Sequence, residues 1–186
     1  MANKILGIAG SLRHESYNKA VLKTLAQSSW DGVEIEIFDI SSIPLYNGDL
    51  DGEHPPDSVR KLKDAIAASR AVLIVSPEYN YGIPGVLKNA LDWASRPGYK
   101  SVLVGKQVGI ITCSMASTGG ARAQSSIREC FYACLAKVVP AAEVAIPTVQ
   151  TKVEGGVLTD AKSLELAGGL VKALVAASAA QDRPAG

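Results

Sequence analysis

Short apolar, β-branched runs alternate along this chain with longer segments whose apolar positions recur every three or four residues. That is the pattern of a parallel sheet built from strand–helix–strand units. Ile5 to Ala9 predicts the first strand. Asn18 to Ser29 carries Ala20, Val21, Thr24 and Leu25 on one helical face, and Val33 to Phe38 predicts the second strand. Val59, Leu62 and Ile66 mark a second helix after Pro55 and Pro56, followed by Ala71 to Val75 as the third strand. Pro84 suits the first turn of a third helix, whose apolar face of Val86, Leu87, Ala90, Leu91 and Ala94 ends near Pro97. Gln107 to Thr112 reads as the fourth strand. A fourth helix carries the stripe Ile127, Cys130, Phe131, Cys134 and Leu135, whose spacing predicts one buried face. Glu143 to Ile146 predicts a short fifth strand, and Ser163 to Ala180 a closing helix with Leu164, Leu170, Val171, Leu174 and Val175 turned inward.

Five strands and five helices in this order predict an α/β fold: a flavodoxin-like three-layer α/β/α sandwich around a five-stranded parallel sheet of order 2-1-3-4-5. The binding crevice of such a sheet opens at the C-terminal ends of strands 1 and 3. Residues 1–180 are expected to form one domain, with 181–186 as a loose tail. Hydrophobic residues make up 47% of the 186-residue chain and charged residues 20%, with a net charge of +1. That balance gives no electrostatic argument for nucleic acid or a membrane, and points to a small-molecule partner. The opening M-A-N-K-I-L-G-I-A-G is too short an apolar run for a signal segment or a membrane span, so the expected location is cytoplasmic. Cys113, Cys130 and Cys134 are an odd set without zinc spacing, and His14 and His54 lie far from them. Neither a disulfide framework nor a metal site is expected.

The chemistry concentrates in three loops at strand ends. Gly10 to Asn18, G-S-L-R-H-E-S-Y-N, opens onto the first helix, where exposed amides, the hydroxyls of Ser11 and Ser16 and the guanidinium of Arg13 can surround a phosphate. Asn18 either caps the helix or bonds the phosphate, and Tyr17 belongs to the same candidate set. The loop lacks both the G-x-G-x-x-G dinucleotide spacing and the G-K-S/T of a Walker loop, so a terminal monoester suits it better than a pyrophosphate bridge. The second loop follows the third strand within S-P-E-Y-N-Y-G-I-P-G-V-L-K-N-A-L-D-W, Ser76 to Trp93. There Pro77 fixes chain direction, Tyr79 and Tyr81 offer faces or edges to a planar ring, and Glu78 and Asn80 offer polar atoms to its rim. Glu78 has the alternative of pointing to a partner subunit. In the third loop, Thr112 to Arg122, Ser114 and the amides leading to Gly119 and Gly120 are placed to reach the ring's polar edge. Arg122 suits either a dinucleotide phosphate or an ion pair across an oligomer interface. Asp92 and Trp93 read as packing or interface residues.

On these residues the sequence resembles the NADPH-dependent FMN reductase family of flavodoxin-like proteins, which includes bacterial quinone, chromate and azo-compound reductases. The motifs G-S-L-R-x-x-S-x-N and P-E-Y-N-x-x-x-P-G-x-L-K-N-A-x-D-W are intact as Gly10 to Asn18 and Pro77 to Trp93, and Gly119 to Arg122 matches a Gly-Gly-Ala-Arg ending. The resemblance implies that Ser11, Arg13, Ser16 and Asn18 hold the FMN phosphate, and that Glu78 to Tyr81 with Ser114 hold the isoalloxazine ring. It implies a homo-oligomer, dimer or tetramer, with the third helix and the P-E-Y-N loop near the interface. Ser125 stands where some tetrameric relatives have a tyrosine, which favours a dimer.

The expected reaction is ping-pong hydride transfer from NADPH, or NADH, through bound FMN to quinones, with free flavin, azo compounds and chromate as further acceptors. No catalytic side chain is named, because the cofactor carries the chemistry and the protein positions it. A non-enzymatic electron carrier or flavin-dependent regulatory partner is the competing reading, although single-electron carriers usually present a strongly acidic docking surface.

Overall fold

The computed structural model describes residues 4–180; the expected tail at 181–186 lies outside them. Its strands are β1 (Lys4–Ala9), β2 (Glu34–Phe38), β3 (Ala71–Ser76), β4 (Gln107–Cys113), β5 (Lys137–Val138) and β6 (Val144–Ile146), with a separate pair β7 (Val153–Glu154) and β8 (Val157–Leu158). The helices are α1 (Tyr17–Ala26), α2 (Asp57–Ala68), α3 (Gly85–Ala94), α4 (Ala121–Ala133) and α5 (Ala161–Ala180). The main sheet is parallel in the order β2-β1-β3-β4-β5, as the alternation of strands and helices predicts.

Side chains alternate across the central strands and divide the interior into two cores. Ile5, Leu73, Val75 and Ile111 face one way, against Val21, Leu22 and Leu25 of α1 and Leu170, Val171 and Leu174 of α5. Leu6, Ile8, Val72, Ile74 and Ile110 face the other way, against Leu62 and Ile66 of α2, Leu87 and Leu91 of α3, and Ile127 and Phe131 of α4. Both faces of the sheet are therefore covered, which is why β1, β3 and β4 read as continuous apolar runs. The helix α5 is long and apolar enough to cross a membrane by length and composition, and in this fold it packs on the sheet through Ala167, Leu170, Val171 and Leu174.

The fifth strand position differs from the single strand predicted over Glu143 to Ile146. Two pieces share it: β5 pairs with β4 at Gln107 and Val108, and β6 pairs further along at Ile111 to Cys113. Between them stands Pro140, which has no amide hydrogen to give a ladder, and the chain leaves the sheet around it. The antiparallel β7–β8 hairpin was not among the predicted elements. Its turn is Gly155–Gly156, both at positive φ (55° and 79°), the two-residue turn that right-twisted hairpins favour.

Two helix boundaries carry corrections. Pro84 caps α3 from just outside rather than occupying its first turn. The α4 stripe is buried at Ile127 and Phe131 and half-buried at Cys130 and Cys134, but Leu135 is exposed. The chain turns left-handed at Leu135 (φ 57°) after α4 has ended, which takes it off the helical face.

Candidate functional site

The three loops meet at the C-terminal ends of β1, β3 and β4. Gly10 continues the ladder past β1 by donating its N–H to the Val75 carbonyl at 2.9 Å. A Cβ at Gly10 would stand 2.6 Å from Ser76 Oγ and 3.2 Å from Leu87, so glycine is what allows the first loop to leave so close to β3 and α3. Ser16 then caps α1, its Oγ accepting from the Lys19 amide at 3.4 Å. The first turn of α1 carries no acidic side chain, so its positive dipole end and free amides are open to an external anion. Ser11, Ser16 and Asn18 are buried, while Arg13 is exposed at the rim.

Asn18 is the second residue of α1 and does not cap it. Its Oδ1 accepts from Cys113 Sγ at 2.9 Å, across from the end of β4. Burial pushes the Cys113 thiol up to about 12, so it stays protonated and keeps its S–H to donate. The amide nitrogen of Asn18 is consequently the end available for another acceptor.

In the second loop, Tyr79 and Gly82 exchange backbone hydrogen bonds of 3.1 and 3.0 Å around a two-residue turn. Asn80 and Tyr81 occupy that turn at φ of 49° and 67°, a conformation that bulky residues seldom adopt. The Tyr81 ring carries the Arg122 guanidinium 4.4 Å from its centroid. Glu78 is turned towards α4: its Oε2 accepts from the amides of Arg122 (2.9 Å) and Ala123 (3.2 Å). The α4 N-cap, Gly120, has no side chain of its own, so Glu78 does the capping from a distance. Arg122 is thus held within its own chain, against Tyr81 by its side chain and Glu78 by its backbone.

The third loop is drawn in by Ser114, whose N–H donates to the Ile146 carbonyl at 3.1 Å and whose carbonyl accepts from Val149 at 3.1 Å. Gly119 and Gly120 are buried and closely packed. A Cβ on Gly119 would lie 2.8 Å from the Ala145 backbone, and one on Gly120 would lie 3.1 Å from Thr112.

A cleft of about 160 Å³ results, lined by Ser11, Arg13, Ser16, Tyr17, Asn18, Pro77, Glu78, Tyr79 and Ser114 from the expected set. Asn80, Tyr81, Gly119 and Gly120 do not line it. Cys113, Met115 and Val149 do, and were not expected. Met115 adjoins Ser114 and was within reach of a sequence argument; Val149 arrives from beyond β6 and carried no local signal. Asp92 and Trp93 belong to the scaffold. Asp92 pairs with Lys88 at 2.6 Å, and fully buried Trp93 donates its indole N–H to the Pro44 carbonyl at 2.8 Å.

Residues 3–151 match the family model described as NADPH-dependent FMN reductase. The chain belongs to that family. An NAD(P)H-dependent FMN reductase of Pseudomonas aeruginosa is 42% identical over 164 residues, 88% of each chain. A 2-hydroxy-1,4-benzoquinone reductase of Burkholderia sp is 46% identical over 128 residues, 69% of each. Among solved structures, FerB, a flavoenzyme NAD(P)H:(acceptor) oxidoreductase of Paracoccus denitrificans, superposes with a TM-score of 0.82 at 33% identity, covering 95% of this chain and 97% of its own. As an FMN reductase, this protein is an NAD(P)H-dependent flavin oxidoreductase of flavodoxin-like fold, with FMN as its cofactor. The residues present fit that group. Hydroxyl, amide and guanidinium donors stand at an uncompensated helix N-terminus, which suits a phosphate, and beside them the half-exposed Tyr79 and Met115 suit a flat ring.

Proposed function

We propose that the 160 Å³ cleft is the FMN seat, and that NAD(P)H and a quinone visit its open mouth in turn, in a ping-pong exchange. The observation that carries this reading is the convergence of the first-loop donors with Pro77, Tyr79 and Ser114 on one cleft. Bound FMN supplies the electron-pair relay between the two visitors. Ser11, Ser16 and the first amides of α1 would hold its phosphate, with Arg13 closing over it from the rim. Asn18 would add its amide nitrogen, oriented by the Cys113 thiol. Tyr79, Pro77 and Ser114 would seat the ring.

The cleft is smaller than the roughly 300–1,000 Å³ of pockets that enclose a small ligand. It therefore suits gripping one end of the cofactor while leaving a face exposed. The protein's part in this reading is to bind and orient the cofactor and to leave access to it. An open face favours planar acceptors of mixed shape: quinones first, as the benzoquinone reductase relative suggests, then free flavin, azo compounds and chromate. A homodimer is proposed through the groove of about 570 Å³ between α3 and α4, beside exposed Tyr99, in the cytoplasm. Steady-state kinetics with NADPH and a benzoquinone test the exchange. Parallel double-reciprocal lines support it, and lines that converge point to a ternary complex instead.

A further inference from the structure

A second cavity begins where the FMN cleft ends. It measures about 540 Å³, and Arg13, Ser16 and Tyr17 line both. Its other walls are His14, Lys19 and Lys23 on one side and Val153, Gly155 and Gly156 of the β7–β8 hairpin on the other. The hairpin is fastened to α1, since the Leu158 amide donates to Thr24 Oγ1 at 3.0 Å, so both walls are anchored. Gly155 and Gly156 have nothing within 4 Å of where a Cβ would stand, which leaves that wall as bare, open backbone.

The charge of this cavity is one-sided. Arg13, Lys19 and Lys23 line it against a single acid, Glu15, with the His14 ring beside them. Lys19 Nζ reaches the Leu12 carbonyl at 3.4 Å and lies near Asp39, whereas Arg13, His14 and Lys23 form no ion pair with the described residues. Such a row of cations, continuous with a phosphate loop, suits a second phosphate.

We propose that this cavity is an adenylate subsite that takes the AMP half of FAD, so that the protein accepts FAD as well as FMN. The proposal rests on the first cleft being the FMN seat. Whatever extends a flavin mononucleotide past its phosphate must leave from the loop at Ser11 to Ser16, and this cavity shares that loop's walls. The loop has no G-x-G-x-x-G spacing to hold a pyrophosphate on backbone amides. Side chains take that part here, the Lys23 and Lys19 ammonium groups from α1 and the His14 ring N–H from the loop, while the bare Gly155–Gly156 backbone admits a flat purine. The volume lies within the roughly 300–1,000 Å³ range of small-ligand cavities.

Apoprotein is titrated with FMN and with FAD by flavin fluorescence quenching, using the wild type, Lys23→Glu and His14→Glu. Neither residue lines the first cleft. Each substitution, which puts a carboxylate where the second phosphate would lie, is expected to weaken FAD roughly tenfold while FMN affinity holds within about twofold. FAD that fails to bind where FMN binds overturns the proposal, as do variants that shift both flavins equally or neither. A variant that weakens NADPH binding to the FMN-loaded protein but leaves FAD unchanged also overturns it and assigns the cations to the nicotinamide nucleotide. If FMN itself fails to bind the wild type, the cofactor seat is wrong and the subsite falls with it.

Discussion

Cys113 and Asn18 are the pair on which the floor of the cleft depends. A thiol held protonated by burial keeps its hydrogen to donate to Asn18 Oδ1, which leaves the amide nitrogen as the end free for another acceptor. Cys113→Ser keeps a donor of similar size and should leave FMN affinity within about twofold of wild type. Cys113→Ala removes the donor and frees the amide to rotate, and should weaken FMN about three- to tenfold, the worth of one modest hydrogen bond. Equal affinities for the two variants would show that the thiol orients nothing. At this scale the sequence is informative about place, as for Ser11, Arg13 and Ser16, which it puts at a helix start and which the fold brings to one cleft. It is silent where use depends on what lies across the fold. Glu78 reads as a ligand residue in a loop of aromatics, and it does line the cleft, but the sequence does not show that its Oε2 also caps α4, where Gly120 has no side chain to do so.

Elements place these side chains, and glycine shows how differently one residue type serves them. Gly119 holds φ at 62° with the β6 backbone 2.8 Å from where its Cβ would be, so Gly119→Ala forces either strand or loop to move. It should lower stability by more than about 1 kcal/mol and loosen the Ser114 loop. Gly169 lies exposed inside α5 with open space around it, and Gly169→Ala should raise stability by about 0.5–1 kcal/mol through the helical preference of alanine. Urea midpoints for the two variants should move in opposite directions. Strand order, helix count and both core faces were legible because a sheet covered on both sides demands apolar runs. The β5–β6 break was not, since Pro140 acts on a short edge with little periodicity to interrupt. The β7–β8 hairpin has its signal in Gly155–Gly156 between Val153 and Val157, with strands too short to show a period.

For the molecule as a whole, the cysteines tie stability to alkaline pH. Burial raises the Cys113 thiol from 9.0 to about 12, and burial also raises Cys130 and Cys134. Above pH 9 the unfolded chain releases the Cys113 proton while the folded chain keeps it. Stability is therefore undiminished below about pH 9 and falls from there towards pH 12. The limiting slope for one such group is about 1.4 kcal/mol per pH unit. Urea denaturation from pH 8 to pH 10 should show the decline, and Cys113→Ser should make it shallower; identical slopes in the two proteins would remove Cys113 from the account.

The same compact sandwich leaves one mouth over the loops of β1, β3 and β4, and the functional account depends on two reactants using it in succession. The most direct test is anaerobic. FMN-loaded protein is mixed with one equivalent of NADPH and no acceptor, and a benzoquinone is added afterwards while the flavin's visible absorbance is followed. The absorbance is expected to bleach with NADPH alone and to return on addition of the quinone. Absorbance that persists until both reactants are present, or that the quinone fails to restore, would contradict the account.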